Sequence, residues 1–285
     1  MNKPLFLLAF SVVAGVASAQ TFFGLTTTNR IFKFDASDPT RVMINQKITG
    51  MQENELMLSI DFRPRTGELY GLGSSSRLYK IDQTNGRATS VGGQFSTRLN
   101  GVEFDIDFNP TVDRIRLTSS RGQNLRLNPD SGAVAAVDGD LRFADGDVNF
   151  GKMPLVAATA YSNNFDGTQT TTMYNLDTDQ DVLTIQNPPN NGINNTVGRL
   201  GVDASSLAGF DIIDRDTFGW AALTRQGDFR SALYRIDLAS GRATYVDAIG
   251  GDVDQVRDLA AVPEPATMLA LSLGLAGLAA RRRKR

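Results

Sequence analysis

Five aspartates stand in one recurring setting: Asp61-Phe62, Asp107-Phe108, Asp147-Val148, Asp211-Ile212 and Asp258-Leu259. If the segments that carry them line a common axis, five carboxylates face one another. Like charges that close cannot all stay ionised unless a cation or hydrogen bonds compensate. One answer is a metal. Ca²⁺ prefers hard oxygen ligands, which makes Asp61, Asp107, Asp147, Asp211 and Asp258 candidate ligands and opens the way to Ca²⁺-dependent hydrolase or lactonase chemistry. The other answer is a latch, in which each carboxylate accepts backbone N–H groups from its own or the adjoining segment.

Other routes to catalysis are closed by composition. The 285-residue chain has no histidine, which removes His-based triads, His metal sites and His general bases together. It also has no cysteine, so stability comes from burial rather than disulfides. No G-x-S-x-G elbow or P-loop is present, and Gly71-Leu72-Gly73 runs into serines and a strand rather than a helix. Asp177-x-Asp179-x-Asp181 begins like a calcium loop. It then has Val182 where Gly is needed and Pro188 where Glu is needed, so it reads as a turn. Asn187-Pro188-Pro189-Asn190-Asn191-Gly192 reads as a solvent loop whose amides suit sugar hydroxyls, and the single tryptophan, Trp220, as core.

The elements that would position the aspartates repeat. Leu78-Tyr79-Lys80-Ile81-Asp82 matches Leu233-Tyr234-Arg235-Ile236-Asp237, and a turn and Gly-Arg-Ala-Thr follow each, at 86–89 and 241–244. Ile31-Phe32-Lys33-Phe34-Asp35 is a third copy, and the segments from Leu125 and Met173 are weaker ones. A strand precedes each copy (Phe22–Thr27, Leu69–Gly73, Ile115–Ser119, Val156–Tyr161, Trp220–Thr224). An innermost strand precedes that: Leu56–Phe62, Val102–Phe108, a weak Asp147–Phe150, and Leu207–Ile213. A fourth follows, as in Ala88–Val91. Four antiparallel strands in each repeat of about 40–50 residues is the pattern of propeller blades. The N-terminal repeat lacks one strand, and Val256–Val262 supplies it from the far end. The expectation is an all-β, five-bladed β-propeller over residues 20–262, closed by pairing of its first and last strands. A β-sandwich or another blade count is the alternative, and the fourth repeat, with an insertion around Asn163–Thr172, departs most from the pattern.

Both ends of the chain carry addresses. Residues 1–19 have a basic start at Lys3, an apolar run from Leu5 to Val16, and Ala17-Ser18-Ala19. That is a secretory signal peptide with signal peptidase cleavage before Gln20. At the other end, residues 263–285, Pro263-Glu264-Pro265 precedes fifteen uncharged residues, Ala266 to Ala280, and then five cations, Arg281 to Arg285. As a helix the uncharged segment is about 22 Å long, shorter than the roughly 30 Å bilayer core. It makes a weak anchor whose cations stay cytoplasmic. The two ends hold six basic residues and one acidic residue. The segment between them has 23 basic and 30 acidic side chains, a formal charge of −7. That balance is a poor match for nucleic acid.

The triplet, short apolar helix and terminal Arg cluster resemble the PEP-CTERM sorting signal of Gram-negative bacteria. The resemblance implies cleavage by an exosortase-type membrane protease, often in bacteria that make exopolysaccharide, with Pro263, Glu264 and Pro265 as sorting residues. Transient inner-membrane anchoring would be followed by release to the cell surface or beyond. Val112-Asp113-Arg114-Ile115-Arg116-Leu117, Gly122-Gln123-Asn124-Leu125-Arg126-Leu127-Asn128-Pro129-Asp130-Ser131-Gly132, Val197–Asp203 and Gly209–Ile212 are similar to the domain of unknown function 4394. That resemblance supports the fold and implies no activity. The expected function is a non-catalytic surface or matrix propeller that binds exopolysaccharide or protein, with no nucleic-acid partner. The alternative is the Ca²⁺-dependent enzyme. The binding reading calls for no cofactor, and the enzyme alternative calls for Ca²⁺.

Overall fold

The computed structural model describes residues 20–251 and 253–263. The expected signal peptide and everything after Pro263, including Glu264, Pro265, the apolar segment and the basic cluster, lie outside the described residues. Among the described residues no helix is long and apolar enough to cross a membrane.

Five sheets stand around one axis. Blade 1 holds β1 (Thr21–Thr26), β2 (Arg30–Asp35) and β3 (Ile44–Lys47). Blade 2 is β4 (Met57–Phe62), β5 (Leu69–Gly73), β6 (Arg77–Ile81) and β7 (Ala88–Val91). Blade 3 is β8 (Phe104–Asn109), β9 (Arg114–Ser119), β10 (Asn124–Leu127) and β11 (Val134–Val137). Blade 4 contains β12 (Arg142–Phe143), β13 (Val156–Tyr161), β14 (Met173–Asp177), β15 (Val182–Gln186) and β16 (Ile193–Arg199). Blade 5 is β17 (Ala204–Asp211), β18 (Phe218–Arg225), β19 (Ser231–Asp237) and β20 (Ala243–Ala248). The last strand, β21 (Val256–Ala261), returns to blade 1. Each blade is antiparallel except for the short parallel contact of β12 with β16.

The expected closure is present. β21 pairs antiparallel with β1, Phe22 opposite Ala261 and Phe23 opposite Ala260. The Val262 N–H donates to Thr21 O at 2.9 Å, and the Thr27 N–H to Gln255 O at 3.0 Å, extending the ladder at both ends. The innermost strands are therefore β21, β4, β8, β13 and β17, each beside the next around the ring. Burial follows position. β4 and β13 are buried along their whole length, because both faces and both edges are covered, while outer strands such as β3 and β11 alternate between half-buried and exposed residues.

The fourth blade corrects the sequence reading by one strand. Val156–Tyr161 is its innermost strand, not its second, and Asp147–Phe150 is a turn before it. The copy that begins at Met173 is accordingly a second strand, whereas its counterparts at Ile31, Leu78, Leu125 and Leu233 are third strands. The physical reason is β12. After blade 3 the chain first adds Arg142 and Phe143 to the outer edge of blade 4, and only then runs inward to the axis. The repeat unit is lengthened there and its strands shift in phase.

The recurring glycine turns serve a second purpose besides a positive φ. Gly132, in the β10–β11 turn, has φ 67°. A Cβ there would lie 1.9 Å from the Val91 carbonyl oxygen of the preceding blade's outer strand. Gly86 stands in the same relation to Lys47 O, at 2.6 Å. The turn thus lets adjacent blades meet backbone to backbone.

Four of the five seams are apolar. Met57, Ile60 and Tyr79 join Phe23 and Ile31 between blades 1 and 2. Leu72 and Leu78 join Phe108 and Leu117 between blades 2 and 3. Ala158 and Leu176 join Phe210 and Ile236 between blades 4 and 5, and Phe22 and Phe34 join Trp220 and Leu233 between blades 5 and 1. Trp220 is core, as expected. Between blades 3 and 4 no such apolar cluster forms among the described residues; polar side chains fill the space.

Replacing Gly132 by Ala is expected to lower stability by about 2–4 kcal/mol, the sum of a strained left-handed backbone and an overpacked seam. Gly67 has a similar φ of 68° but open space at its Cβ position, so Gly67→Ala should cost only about 1–2 kcal/mol. Urea unfolding of the two variants checks this. Equal losses would show that the close approach of the blades does not matter.

Candidate functional site

Alternation brings carboxylates to the axis. In β8, Phe104, Ile106 and Phe108 alternate with Asp105, Asp107 and Asn109, so the two sets point to opposite faces. The apolar set meets blade 2 and the acidic set turns toward blade 4. The same arrangement operates at Asp61 in β4, Asp211 at the end of β17 and Asp258 in β21. All five, Asp61, Asp105, Asp107, Asp211 and Asp258, are at most 2% exposed.

Their oxygens accept backbone N–H groups in a consistent pattern. Asp61 Oδ1 accepts from its own successor, Phe62, at 2.6 Å, and Oδ2 from Phe108 in the next blade at 2.7 Å. Asp258 accepts from Leu259 and from Ile60, both at 2.7 Å. Asp211 accepts from Ile212 at 2.6 Å and from Ala261 at 2.7 Å. Asp107 accepts from Tyr161 at 3.0 Å. Asp105 accepts from Ile106 at 2.9 Å and from Thr159 at 2.6 Å, and the Ser59 hydroxyl donates to it at 2.7 Å. Each carboxylate thus ties its blade to the next. The seams 1–2, 2–3, 3–4 and 5–1 are latched in this way. The seam from blade 4 to blade 5 is not, because β13 carries no aspartate and relies on apolar packing.

Of the five aspartates expected on the axis, Asp61, Asp107, Asp211 and Asp258 are there and Asp147 is not. Asp147 lies in the turn after β12. It accepts from the Thr196 N–H at 2.6 Å, the Thr196 hydroxyl at 2.7 Å and the Asn149 N–H at 2.8 Å. Burial pushes its carboxyl up, but the Thr196 and Asn149 donors outweigh burial and hold it below the usual range. The one-strand shift of blade 4 is the reason for its displacement. Asp105, absent from the expected set, takes a place on the axis, so blade 3 supplies two carboxylates. The Phe-Asp-Ile-Asp-Phe alternation already carried that signal. Asp177 behaves as the turn residue expected, accepting from the N–H groups of Leu155, Asp179 and Gln180.

Asp61, Asp107 and Asp211 each bring one oxygen within 4.8 Å of the others. No ion pair joins Lys or Arg to any of the five axial carboxylates among the described residues. Burial, joined by repulsion from neighbouring aspartates, raises Asp61, Asp105 and Asp107 well above the ordinary value. Burial raises Asp211 and Asp258 to about 7 despite their backbone donors. The axis is covered at the end where the inner strands begin. There Glu103 accepts from Arg257 Nη1 and from the Ser206 hydroxyl, each at 3.2 Å, tying blades 3, 1 and 5 together. At the other end the β13–β14 loop crosses to blade 5. The Asn164 N–H donates to Asp214 O at 3.1 Å, and Asn164 Nδ2 lies 3.5 Å from Asp211 Oδ1.

The polar seam between blades 3 and 4 is the second feature. Asp107, Arg116 and Arg126 stand opposite one another across β8, β9 and β10, on the face turned to blade 4. Arg116 is buried. Its Nε donates to Tyr161 Oη at 3.2 Å, its Nη1 to Asn124 Oδ1 at 2.8 Å and Asp138 Oδ2 at 2.6 Å, and its Nη2 to Asn190 Oδ1 at 2.8 Å. On the facing blade Thr159, Asn175, Thr184 and Asn194 bond one another. Where this seam reaches the surface, beside the ends of β8 and β13, it opens into a cavity of about 190 Å³.

The profile of the domain of unknown function DUF4394 matches residues 30–260, and that of the PEP-CTERM protein-sorting motif matches residues 261–284. No curated protein matches the chain. Among solved structures the chain resembles one in a nidogen/laminin complex, at 11% identity and TM-score 0.50, covering 86% of this chain and 98% of that one. It also resembles a structural-genomics protein of unknown function from Bacteroides thetaiotaomicron, at 10% identity and TM-score 0.50, covering 71% and 53%. At these identities the likeness is one of fold.

The raised axial carboxyls hold more protons in the folded chain than in the unfolded one. Their contribution to stability is therefore complete below the unfolded value of about 3.9 and is lost as pH rises through the folded values, about 7 for Asp211 and Asp258. Glu55 and Asp113 have lowered carboxyls, which hydrogen bonds hold against burial in Glu55 and the Arg63 bond holds first in Asp113. Their contribution is lost in acid. Thermal melts should therefore peak at about pH 5 and decline toward pH 8; a melting temperature that rises steadily to pH 8 would contradict the axial proton loading.

Proposed function

We propose that this chain, which belongs to the DUF4394 family and carries a PEP-CTERM sorting motif, is an exported, exosortase-sorted propeller that acts by binding at the cell surface or in the extracellular matrix, without catalysis. Export and a membrane-transiting route follow from the motif in general terms. In the finer reading, signal peptidase cuts before Gln20 and an exosortase-type protease acts at Pro263-Glu264-Pro265. The cations of the tail stay cytoplasmic until that cut.

The observation that carries the non-catalytic reading is how the axial acids are used. Backbone N–H groups of the inner strands engage these carboxylates, and Glu103 with Arg257 links blades 3 and 1 at one end of the axis. A general base or nucleophile needs hydrogen-bond reach to a substrate. Carboxylates spent on joining blades do not offer it. The absence of histidine and cysteine supports the same reading.

One observation favours a second reading. Three oxygens, from Asp61, Asp107 and Asp211, converge closely enough to surround a single Ca²⁺, and a cation there would offset the burial that raises all three acids and the repulsion that adds to it at Asp61 and Asp107. Such an ion would hold the ring together. Only if substrate reached it would it serve a hydrolase or lactonase.

Two measurements test these readings. Pull-downs with envelope polysaccharide and with matrix protein should recover the chain above background; recovery of neither counts against a binding role. Melts with EDTA and with excess Ca²⁺ at pH 8 separate latch from metal. A bound ion at about a hundred times its Kd raises the melting temperature by about 5–10 °C, whereas the latch alone predicts no change.

A further inference from the structure

The cavity at the outer end of the blade 3–blade 4 seam has a lining unlike the rest of the ring. Its polar contributors are Asn109, Arg114, Arg116, Arg126, Tyr161 and Asn190. Asn109 closes β8, Arg114 opens β9 directly opposite it, and Tyr161 closes β13, so the cavity opens on the face where the inner strands end. That is also the face from which the chain leaves after Ala261.

Three guanidinium groups meet here, and only one carboxylate answers two of them. Asp138 is 6% exposed in its side chain and takes a forked pair from Arg126, at 2.8 and 2.9 Å, as well as Nη1 of Arg116. Arg114 has no carboxylate partner among the described residues; its Nη1 donates to the Asp113 carbonyl at 2.9 Å. The local charge is positive although the propeller segment is acidic overall. At physiological salt a ligand a few ångströms away responds to the local charge, because screening acts over about 8 Å.

The hydrogen-bonding capacity left over is donor capacity. Asn190 Oδ1 is taken by Arg116, and Asn109 Oδ1 by the N–H and hydroxyl of Thr111. That leaves the Nδ2 groups of both as available donors in the lining. Tyr161 Oη accepts from Arg116 and keeps its own proton to give. Arg126 Nη1 and the remaining N–H groups of Arg114 complete the set. A lining of this kind selects an acceptor-rich anion. Guanidinium forks match the planar, two-oxygen carboxylate best, and about 190 Å³ is room for roughly six waters, the size of one small organic acid or one sugar ring.

We infer that this cavity binds a carboxylate-bearing ligand of monosaccharide size, with the Arg114 guanidinium pairing with the carboxylate, Arg126 Nη1 donating to it, and Asn109, Tyr161 and Asn190 donating to the ligand's other oxygens. The inference rests on the binding role proposed above and gives that role a ligand class. The carboxylate can come from a uronic acid residue of an acidic polysaccharide or from a free organic acid.

Calorimetric titration of the purified full chain with glucuronate, an oligogalacturonate, citrate, glucose and inorganic phosphate separates the outcomes. Saturable binding of the uronates, absent for glucose and weakened by salt, supports the sugar source; binding of citrate in preference to the uronates supports the free acid. Arg114→Gln and Arg126→Gln lie at the half-exposed rim and spare the buried Arg116. Each is expected to weaken binding about tenfold or more; Arg114→Gln, which breaks no ion pair, should leave the melting curve unchanged, whereas Arg126→Gln gives up its fork to Asp138 and should lower it. Phosphate that binds as tightly as the carboxylates, binding indifferent to both substitutions, or no carboxylate binding at all overturns the inference. In the last case, polysaccharide recovered in the pull-down would leave the broader binding role standing and remove only this site.

Discussion

Head-to-tail pairing of β21 with β1 is the contact on which the remaining geometry depends. Blades in a ring have no terminal edge only if the last strand of the chain completes the first blade. Here the pairing also places Asp258 and Ala261 on the axis, where one accepts from Ile60 and the other donates to Asp211. Two of the four latched seams thus run through β21, the last strand among the described residues. The ring and the axial array are a single construction.

The axial acids show how buried charge is handled without paired cations. A carboxylate removed from water is costly unless donors replace the lost solvation. Backbone N–H groups along the inner edges of these strands are available, since innermost strands have no further strand to bond. Such donors lower the pKa, two at Asp61 and one at Asp107, yet burial and neighbouring aspartates raise it more. The blades are thus joined about the axis by directional bonds as well as by packing.

The seam between blades 3 and 4 follows from the same alternation. β8, β9 and β10 each have an apolar face and a polar face. In an open antiparallel sheet the polar face would meet water. A propeller covers both faces, so Arg116 and Asn124 are enclosed and must find partners within the protein. Asp138, Tyr161 and Asn190 supply them, and the imperfect fill of a polar seam leaves the cavity at its outer end.

How much of this was legible in the sequence varies with range. The five repeats, the hairpin glycines at Gly86 and Gly132, the closing strand at Val256–Val262 and the core position of Trp220 could all be read locally. They rest on strand alternation, turn conformation and the recurrence of short motifs, which the chain carries along its own length. Four of the axial aspartates could be read for the same reason. The fourth blade's phase could not. Whether Val156–Tyr161 is a first or a second strand depends on where Arg142 and Phe143 attach, a pairing across some fifty residues. That shift moved Asp147 away from the axis and left Asp105 unnoticed. The Arg114–Arg126 cavity was likewise out of reach, because alternation tells which side chains share a face and not which neighbouring blade that face meets. The chain by itself determined the strands, the turns and their repetition; only tertiary structure decided which blade's N–H groups each carboxylate meets and which polar face is enclosed, because both are contacts between segments distant in sequence.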